Sequence, residues 1–191
     1  MSPVALCERP PAMQPRLAAA PHLTVASRAA DRDVFVAAMA RALTGVWILA
    51  TDSPEGRVAL TVSAVSSVSA DPPMVLACVN SRHRVRNAVL ASGHFALSLL
   101  TDDQADLADV FAGRPAAGMP HDFDRAEWRT DVTGAPLLVR AAAGFDCVLS
   151  SSVEAGTHTI LIGSVVSALR ATGSPLGYTD RAYARTTPLG S

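Results

Sequence analysis

The stretch Gly144–Leu169 reads GFDCVLSSSVEAGTHTILIGSVVSAL. It holds two long strand-like runs, near Gly144–Val153 and Thr157–Leu169, on either side of Glu154-Ala155-Gly156, a cluster suited to a tight hairpin. In the second run both alternating faces are largely apolar: Ile160, Ile162 and Val166 on one, Leu161 and Val165 on the other. A strand wet on one side alternates apolar with polar residues, whereas one apolar on both sides is covered on both. The hairpin therefore predicts a barrel wall that also meets a helix or a second subunit.

The chain on either side extends this pattern. Met74–Val79 reads as a fully buried strand after the break Asp71-Pro72-Pro73. Before the break, Arg57–Ser69 is rich in β-branched residues and serines, and Ser53-Pro54-Glu55-Gly56 is a turn cluster behind the apolar run Val46–Thr51. Strand, turn, strand, break, strand predicts an antiparallel meander. Helices are few. Val34, Ala38 and Ala42 recur at helical spacing, as do Phe35, Met39 and Leu43, behind the N-cap candidate Asp31, with Gly45 as the expected stop. A second helix is expected at about Val85–Ser92, closed by Gly93 and followed by a strand over His94–Leu100. A third, short helix carries Leu107, Val110 and Phe111. Residues 113–127 read as a long loop, of a kind that often serves function. The tail from Gly173 carries Tyr178 and Tyr183 and is expected to add a last short strand. The fold class is mainly β with a few short helices.

A chain of 191 residues suits one domain with a real core. Residues 31–191 are expected to form that domain, with a core of Val, Leu, Ile and Ala, since aromatics are only 5%. Residues 1–30 are interrupted by Pro3, Pro10, Pro11, Pro15 and Pro21 and by Arg9, Arg16 and Arg28. They predict a flexible or partner-wrapping arm, not a signal peptide. No run nears the roughly 18 apolar residues of a membrane span, so no membrane association is expected. A net charge of -1 argues against nucleic-acid binding by bulk electrostatics. Cys7, Cys78 and Cys147 form no CxxC pair, and the histidines show no ligand spacing. Neither a metal site nor a disulfide framework is expected; buried thiols in a cytoplasmic protein are.

Three segments stand out for chemistry. Thr61-Val62-Ser63-Ala64-Val65-Ser66-Ser67-Val68-Ser69 places five hydroxyl residues in nine positions. The plain reading is a half-exposed strand. Small hydroxyl residues also let a ligand approach the backbone, and they offer N–H and O–H groups to the polar rim of a flat heterocycle. In Asn80-Ser81-Arg82-His83-Arg84-Val85-Arg86, three arginines sit at or near the start of a predicted helix, where cations oppose the helix dipole. Solvated surface charge explains them; so does a phosphate, which would remove the conflict. Finally, His158 follows the hairpin turn in Gly156-Thr157-His158-Thr159-Ile160. A lone histidine is more often structural, but one at a strand rim can bond a ligand and still meet solvent.

In order and spacing, these pieces resemble the flavin reductase-like family of FMN-binding split barrels, the reductase components of two-component flavin monooxygenases. The resemblance spans roughly residues 31–185. It is carried by Thr44-Gly45-Val46, Thr61 to Asp71-Pro72-Pro73, Ser92-Gly93-His94-Phe95 to Leu100, Phe111-Ala112-Gly113, Gly134-Ala135-Pro136-Leu137-Leu138, Thr157-His158-Thr159-Ile160 with Gly163, and Pro175-Leu176 with Tyr178.

The resemblance implies an antiparallel split β-barrel of Greek-key type. It implies hydride transfer from NADH, or NADPH, to FAD or FMN, and delivery of reduced flavin to a separate monooxygenase by a homodimer. By the same resemblance, Thr61, Val62, Ser63, Ala64, Ser66, Ser67 and Ser69 line the flavin ring and its ribityl chain. Asn80, Ser81, Arg82, His83 and Arg84 hold the phosphate. His158 lies beside the nicotinamide, and Phe111 and Tyr178 are candidate walls. Relatives carry a Ser/Thr-rich phosphate segment where this chain has arginines. The added guanidinium groups suit either a second phosphate, which tilts toward FAD, or the phosphates of the nicotinamide dinucleotide. A pyridoxamine-phosphate-type oxidase and a non-catalytic flavin-binding module are the rival readings of the same architecture.

Overall fold

The computed structural model describes residues 29–187, 189 and 190. The expected N-terminal arm lies, through residue 28, outside the described residues. In chain order the elements are α1 (Arg32–Ala40), β1 (Thr44–Gly45), β2 (Trp47–Ser53), β3 (Gly56–Val62), β4 (Val65–Ala70), β5 (Pro73–Asn80), α2 (Arg84–Ser92) and β6 (His94–Leu99). Then come α3 (Ala105–Phe111), a 3-10 turn (Phe123–Arg125), β7 (Trp128–Arg129), β8 (Leu137–Leu138), β9 (Ala143–Ala155), β10 (His158–Arg170), β11 (Leu176–Thr179) and β12 (Ala182–Arg185).

One sheet dominates, in the order β3-β2-β6-β9-β10-β5-β4, with every pair antiparallel. This is not the expected meander, because β2 pairs with β6, and β5 with β10. Strands β3 and β4 close opposite ends of the order, yet only Ser63 and Ala64 separate them in sequence. Three Cα steps reach at most about 11 Å. The sheet must therefore curl until its edges approach, which makes a barrel split along the β3/β4 seam. Arg57–Ser69, which reads as one strand, is thus two strands around a corner. The period-two alternation runs straight through the corner and hides it.

The barrel interior is apolar and dense. Leu49, Phe95, Leu97, Cys147 and Leu161 meet Val79 and, from one face of α2, Val85 and Val89. Helix α2 forms where expected: the His83 imidazole accepts the Val85 N–H, and Gly93 ends the helix in the left-handed conformation at φ 73°. Helix α1 also starts as read, with the Asp31 carboxylate accepting the N–H groups of Asp33 and Val34. It ends at Ala40, however, not at Gly45. Gly45 instead lies in β1, opposite Gly177. A Cβ there would come within 3.0 Å of Trp47 Nε1 and 3.2 Å of Leu99 Cδ1.

On the other side of the sheet, α3 and residues 113–138 cover a second core around Ile48, Leu100 and Leu138. Phe111 centres an aromatic group there, with Phe123 at 5.3 Å and Trp128 at 5.6 Å between ring centroids. The expected loop at 113–127 is therefore pinned in place, since the His121 N–H donates to Val110 O and Trp128 Nε1 donates to Phe123 O. The tail adds two strands where one was expected. β11 and β12 form a ribbon that pairs with β1.

Gly163 sets the tightest contact in the barrel. A Cβ on it would lie 2.6 Å from Phe95 Cζ and 2.9 Å from Cys147 Cβ. Gly163→Ala should therefore destabilise the fold by about 1–3 kcal/mol, read as a lower urea midpoint. Phe95→Leu removes the ring atoms in the way. In a double-variant cycle it should recover part of the loss, giving a coupling clearly different from zero.

Candidate functional site

The corner between β3 and β4 is also where a ligand site opens. A cleft of about 270 Å³ is lined by Leu60 to Ala64 on one side, Cys78 to Asn80 on the other, and His158. Two registers build it. The Cys78 N–H donates to Ala64 O at 2.9 Å, which ties the corner to β5. His158, the first residue of β10, stands opposite Asn80 in the ladder. The floor is apolar (Leu60, Val62, Val79), and the rim is polar (Ser63, Asn80, His158). That is the shape and chemistry asked for by a flat aromatic ring with heteroatoms along one edge.

His158 is exposed. Its Nδ1 is 2.9 Å from Thr157 Oγ1, and Nε2 has no protein partner among the described residues. Ser63 and Ala64 are exposed and small. Thr61 donates its hydroxyl to Ala108 O at 2.7 Å, so its proton is committed to holding α3 against β3, while its oxygen can still accept. Cys78 forms part of the wall, and burial raises its thiol pKa.

The structure thus brings together Thr61, Val62, Ser63, Ala64, Asn80 and His158. The other expected residues stand differently. Ser66, Ser67 and Ser69 run away along edge strand β4, with a bulge between Ser67 and Ser69. They lie outside the cleft lining. Phe111, the last residue of α3, is fully buried in its aromatic group and has no surface to offer a ligand. Tyr178 lines a neighbouring cleft that shares Thr61, Val62 and Ser63.

The segment after β5 differs most from its sequence reading. Ser81 donates its N–H to Thr157 O, and its hydroxyl lies within 3.2 Å of Glu154 and 3.0 Å of Thr159. Arg86 Nη2 donates to Glu154 Oε1 at 2.5 Å. The hydrogen bond from Arg86, followed by those from Thr159 and Ser81, holds the Glu154 carboxyl below its ordinary pKa against a smaller upward effect of burial. His83 caps α2 through an acceptor nitrogen, and burial, then the charges of His121 and Arg84, depress its pKa. The dipole conflict read from three arginines is therefore met within the chain at one of them. Arg86 is answered by Glu154, and His83 is held neutral. Arg82 and Arg84 remain exposed, outside the cleft lining. Glu154, read only as a turn residue, is the organising anion of this corner.

A split antiparallel barrel with a ring-shaped cleft beside its seam is the plan of a flavin-binding domain. The chain belongs to the flavin reductase-like domain family, whose model matches residues 39–187. It is 39% identical over 153 residues to the FMN reductase (NADH) RutF of Stutzerimonas stutzeri, covering 80% of this chain and 87% of that protein. Among solved structures, BorF is the flavin reductase component of a bacterial two-component tryptophan halogenase. It matches with a TM-score of 0.73 at 31% identity, covering 81% of this chain and 98% of that one. The NADH:FAD oxidoreductase SgcE6 of Streptomyces globisporus C-1027, solved with NAD and FAD fragments, matches with a TM-score of 0.75 at 27% identity, covering 84% of this chain and 96% of that one.

The neutral His83 cap carries a pH signature. Its folded pKa lies below the 6.5 of a free imidazole. Above that value the residue contributes its full stability. As pH falls through 6.5, the unfolded chain takes up a proton that the folded chain resists, and stability is lost. His83→Asn keeps an acceptor at the cap and removes the titration. Its melting temperature should therefore fall less than that of the wild type between neutral pH and about pH 5.5.

Proposed function

We propose that the protein is an NADH-dependent flavin reductase that passes reduced flavin to a separate flavin-dependent monooxygenase. The observation that carries this reading is the cleft in which His158 faces the Thr61–Ala64 corner across an apolar floor. The family membership and the activities named for RutF and SgcE6 support it. The naming of BorF as one component of a two-component system supports the separate acceptor enzyme.

When bound, the flavin supplies the acceptor for the hydride given up by the nicotinamide. The chain's own residues serve to align the two rings. Leu60, Val62 and Val79 exclude water from one side of the flavin ring, and Ser63 and Asn80 bond its polar edge. Arg82 and Arg84, exposed just after β5, meet phosphate, and their number favours FAD over FMN. His158 orients the nicotinamide carboxamide through Nε2, while Thr157 limits rotation of its ring.

The assembly is a homodimer. Its support is apolar surface that the other described residues leave uncovered. Val148 and Val166 are 44% and 43% exposed on β9 and β10, and Val34, Phe35, Met39 and Leu43 are each more than half exposed on or beside α1. No helix among the described residues is long and apolar enough to cross a membrane. Cys78 and Cys147 are free thiols, which suits work in the reducing cytoplasm.

The direct test follows NADH absorbance with FAD, with FMN and with no flavin. Fast oxidation should depend on added flavin, and the faster arm identifies the preferred one. No oxidation with either flavin, using NADH or NADPH, overturns the reading. His158→Ala should raise the KM for NADH by about tenfold, as expected for loss of a hydrogen bond at the ligand, while the flavin Kd stays close to that of wild type. Equal loss of both would remove His158 from its assigned place.

A further inference from the structure

A second cleft, of about 220 Å³, opens where the end of β3 meets the end of α3 and the β11–β12 ribbon. It shares Thr61, Val62 and Ser63 with the first, so the two meet at the barrel corner. Its remaining wall includes Tyr178, Tyr183 and Arg114.

Arg114 is held from two directions. Its backbone N–H donates to Asp109 O at 2.9 Å, and its Nε donates to Asp109 Oδ1 at 3.0 Å. The same carboxylate oxygen accepts the Tyr183 hydroxyl at 2.7 Å. This bonding raises the pKa of the guanidinium, which stays charged. The Tyr183 hydroxyl also bears on the guanidinium, whose side chain is 61% exposed. Beside it, the rings of Tyr178 and Tyr183 meet edge to face at 5.6 Å. A guanidinium fixed at its inner edge and open to solvent at its outer one matches the oxygens of a phosphate. Aromatic walls next to it suit the heterocycle that a nucleotide carries beside its phosphate. The cleft is too small for a whole dinucleotide and fits one part of it.

We propose that Arg114, oriented by Asp109, is a phosphate-binding residue of the nucleotide site, and that this second cleft receives the phosphate-bearing portion of one of the two nucleotides the enzyme uses. The proposal rests on the reductase reading. It follows from the corner geometry: a reductase must hold two phosphate-bearing ligands with their rings in contact, and here two clefts converge on the same three residues. Because the Asp109 charge offsets that of Arg114, the contribution is a directional hydrogen-bonded pair and not long-range attraction.

The test compares wild type, Arg114→Gln and Arg114→Lys. Riboflavin, FMN and FAD are titrated by quenching of flavin fluorescence, and the KM for NADH is measured at saturating flavin. If the phosphate belongs to the flavin, Arg114→Gln weakens FMN and FAD by about tenfold or more and leaves riboflavin unchanged. If it belongs to the nicotinamide dinucleotide, the KM for NADH rises by a similar factor and all three flavins bind as in wild type. In either case Arg114→Lys recovers only part of the loss, because an ammonium cannot make the forked pair. Unchanged binding and KM in Arg114→Gln would overturn the assignment, as would riboflavin weakened as much as FMN. A wild type that binds no flavin overturns the reductase reading and the assignment with it. A wild type that binds flavin tightly, with an unaltered Arg114→Gln, overturns the assignment alone.

Discussion

Two residues, Ser63 and Ala64, join strands that close opposite ends of the main sheet, and the rest of the structure follows from that short tether. It forces the sheet to curl, because the chain cannot span an open one. Curling turns one face of every strand inward, where Leu49, Phe95, Leu97 and Leu161 fill the interior. It also leaves a seam along which no ladder continues. Backbone and side-chain polar groups near such a seam are open to a ligand, and the hydroxyl-bearing corner lies there. The hydrogen bond from Cys78 N–H to Ala64 O closes the corner against β5, and the ladder register then sets His158 beside Asn80. The same contacts that shape the barrel therefore fix the distance between the two sides of the site.

The rim of the site is held by charge. Glu154, at the tip of the β9–β10 hairpin, accepts from Arg86 on α2, from Ser81 after β5 and from Thr159 on β10. Three elements are thus tied through one carboxylate. Hydrogen bonds to a charged acceptor are the stronger kind, and here they sit next to His158, whose backbone the hairpin carries. The arrangement also eases, at Arg86, the electrostatic strain implied by arginines at a helix start. With Arg86 engaged and His83 uncharged at the cap, a bound phosphate is not needed to stabilise α2. The helix is capped without a ligand, and Arg82 and Arg84 are left exposed.

Much of the fold was legible because its signals are local. Asp31 caps α1 and Gly93 closes α2 through contacts within a few residues, and the β9–β10 hairpin is written in continuous apolar alternation around Glu154-Ala155-Gly156. The corner at Ser63-Ala64 was not legible, since the alternation of Thr61 to Ser69 continues through it. Gly45 looked like a helix stop because a glycine after a helical stripe usually is one. Its actual constraint is the Trp47 and Leu99 side chains, and Leu99 comes from a distant strand. Of the candidate site residues, the Thr61–Ala64 corner, Asn80 and His158 line one cleft, and small polar residues at strand ends are visible in sequence. The burial of Phe111 is not visible there, because it depends on Phe123 and Trp128 folding over it. Glu154 was missed for the same reason: its partner Arg86 is 68 positions away.

The chemistry proposed for this site also explains what it lacks. Hydride transfer between two stacked rings asks the protein for alignment and exclusion of water, not for a tuned acid or nucleophile. In the first cleft, burial moves the Cys78 thiol upward, away from the reactive thiolate. Glu154 ties the hairpin and His83 caps a helix, both outside the lining of that cleft. The floor of the first cleft is apolar, and its polar contacts are hydroxyl, amide and imidazole groups at its edge. That distribution is what precise stacking of two flat cofactors requires: a rigid frame, a dry support for one ring, and a single rim histidine free at Nε2 to meet the other.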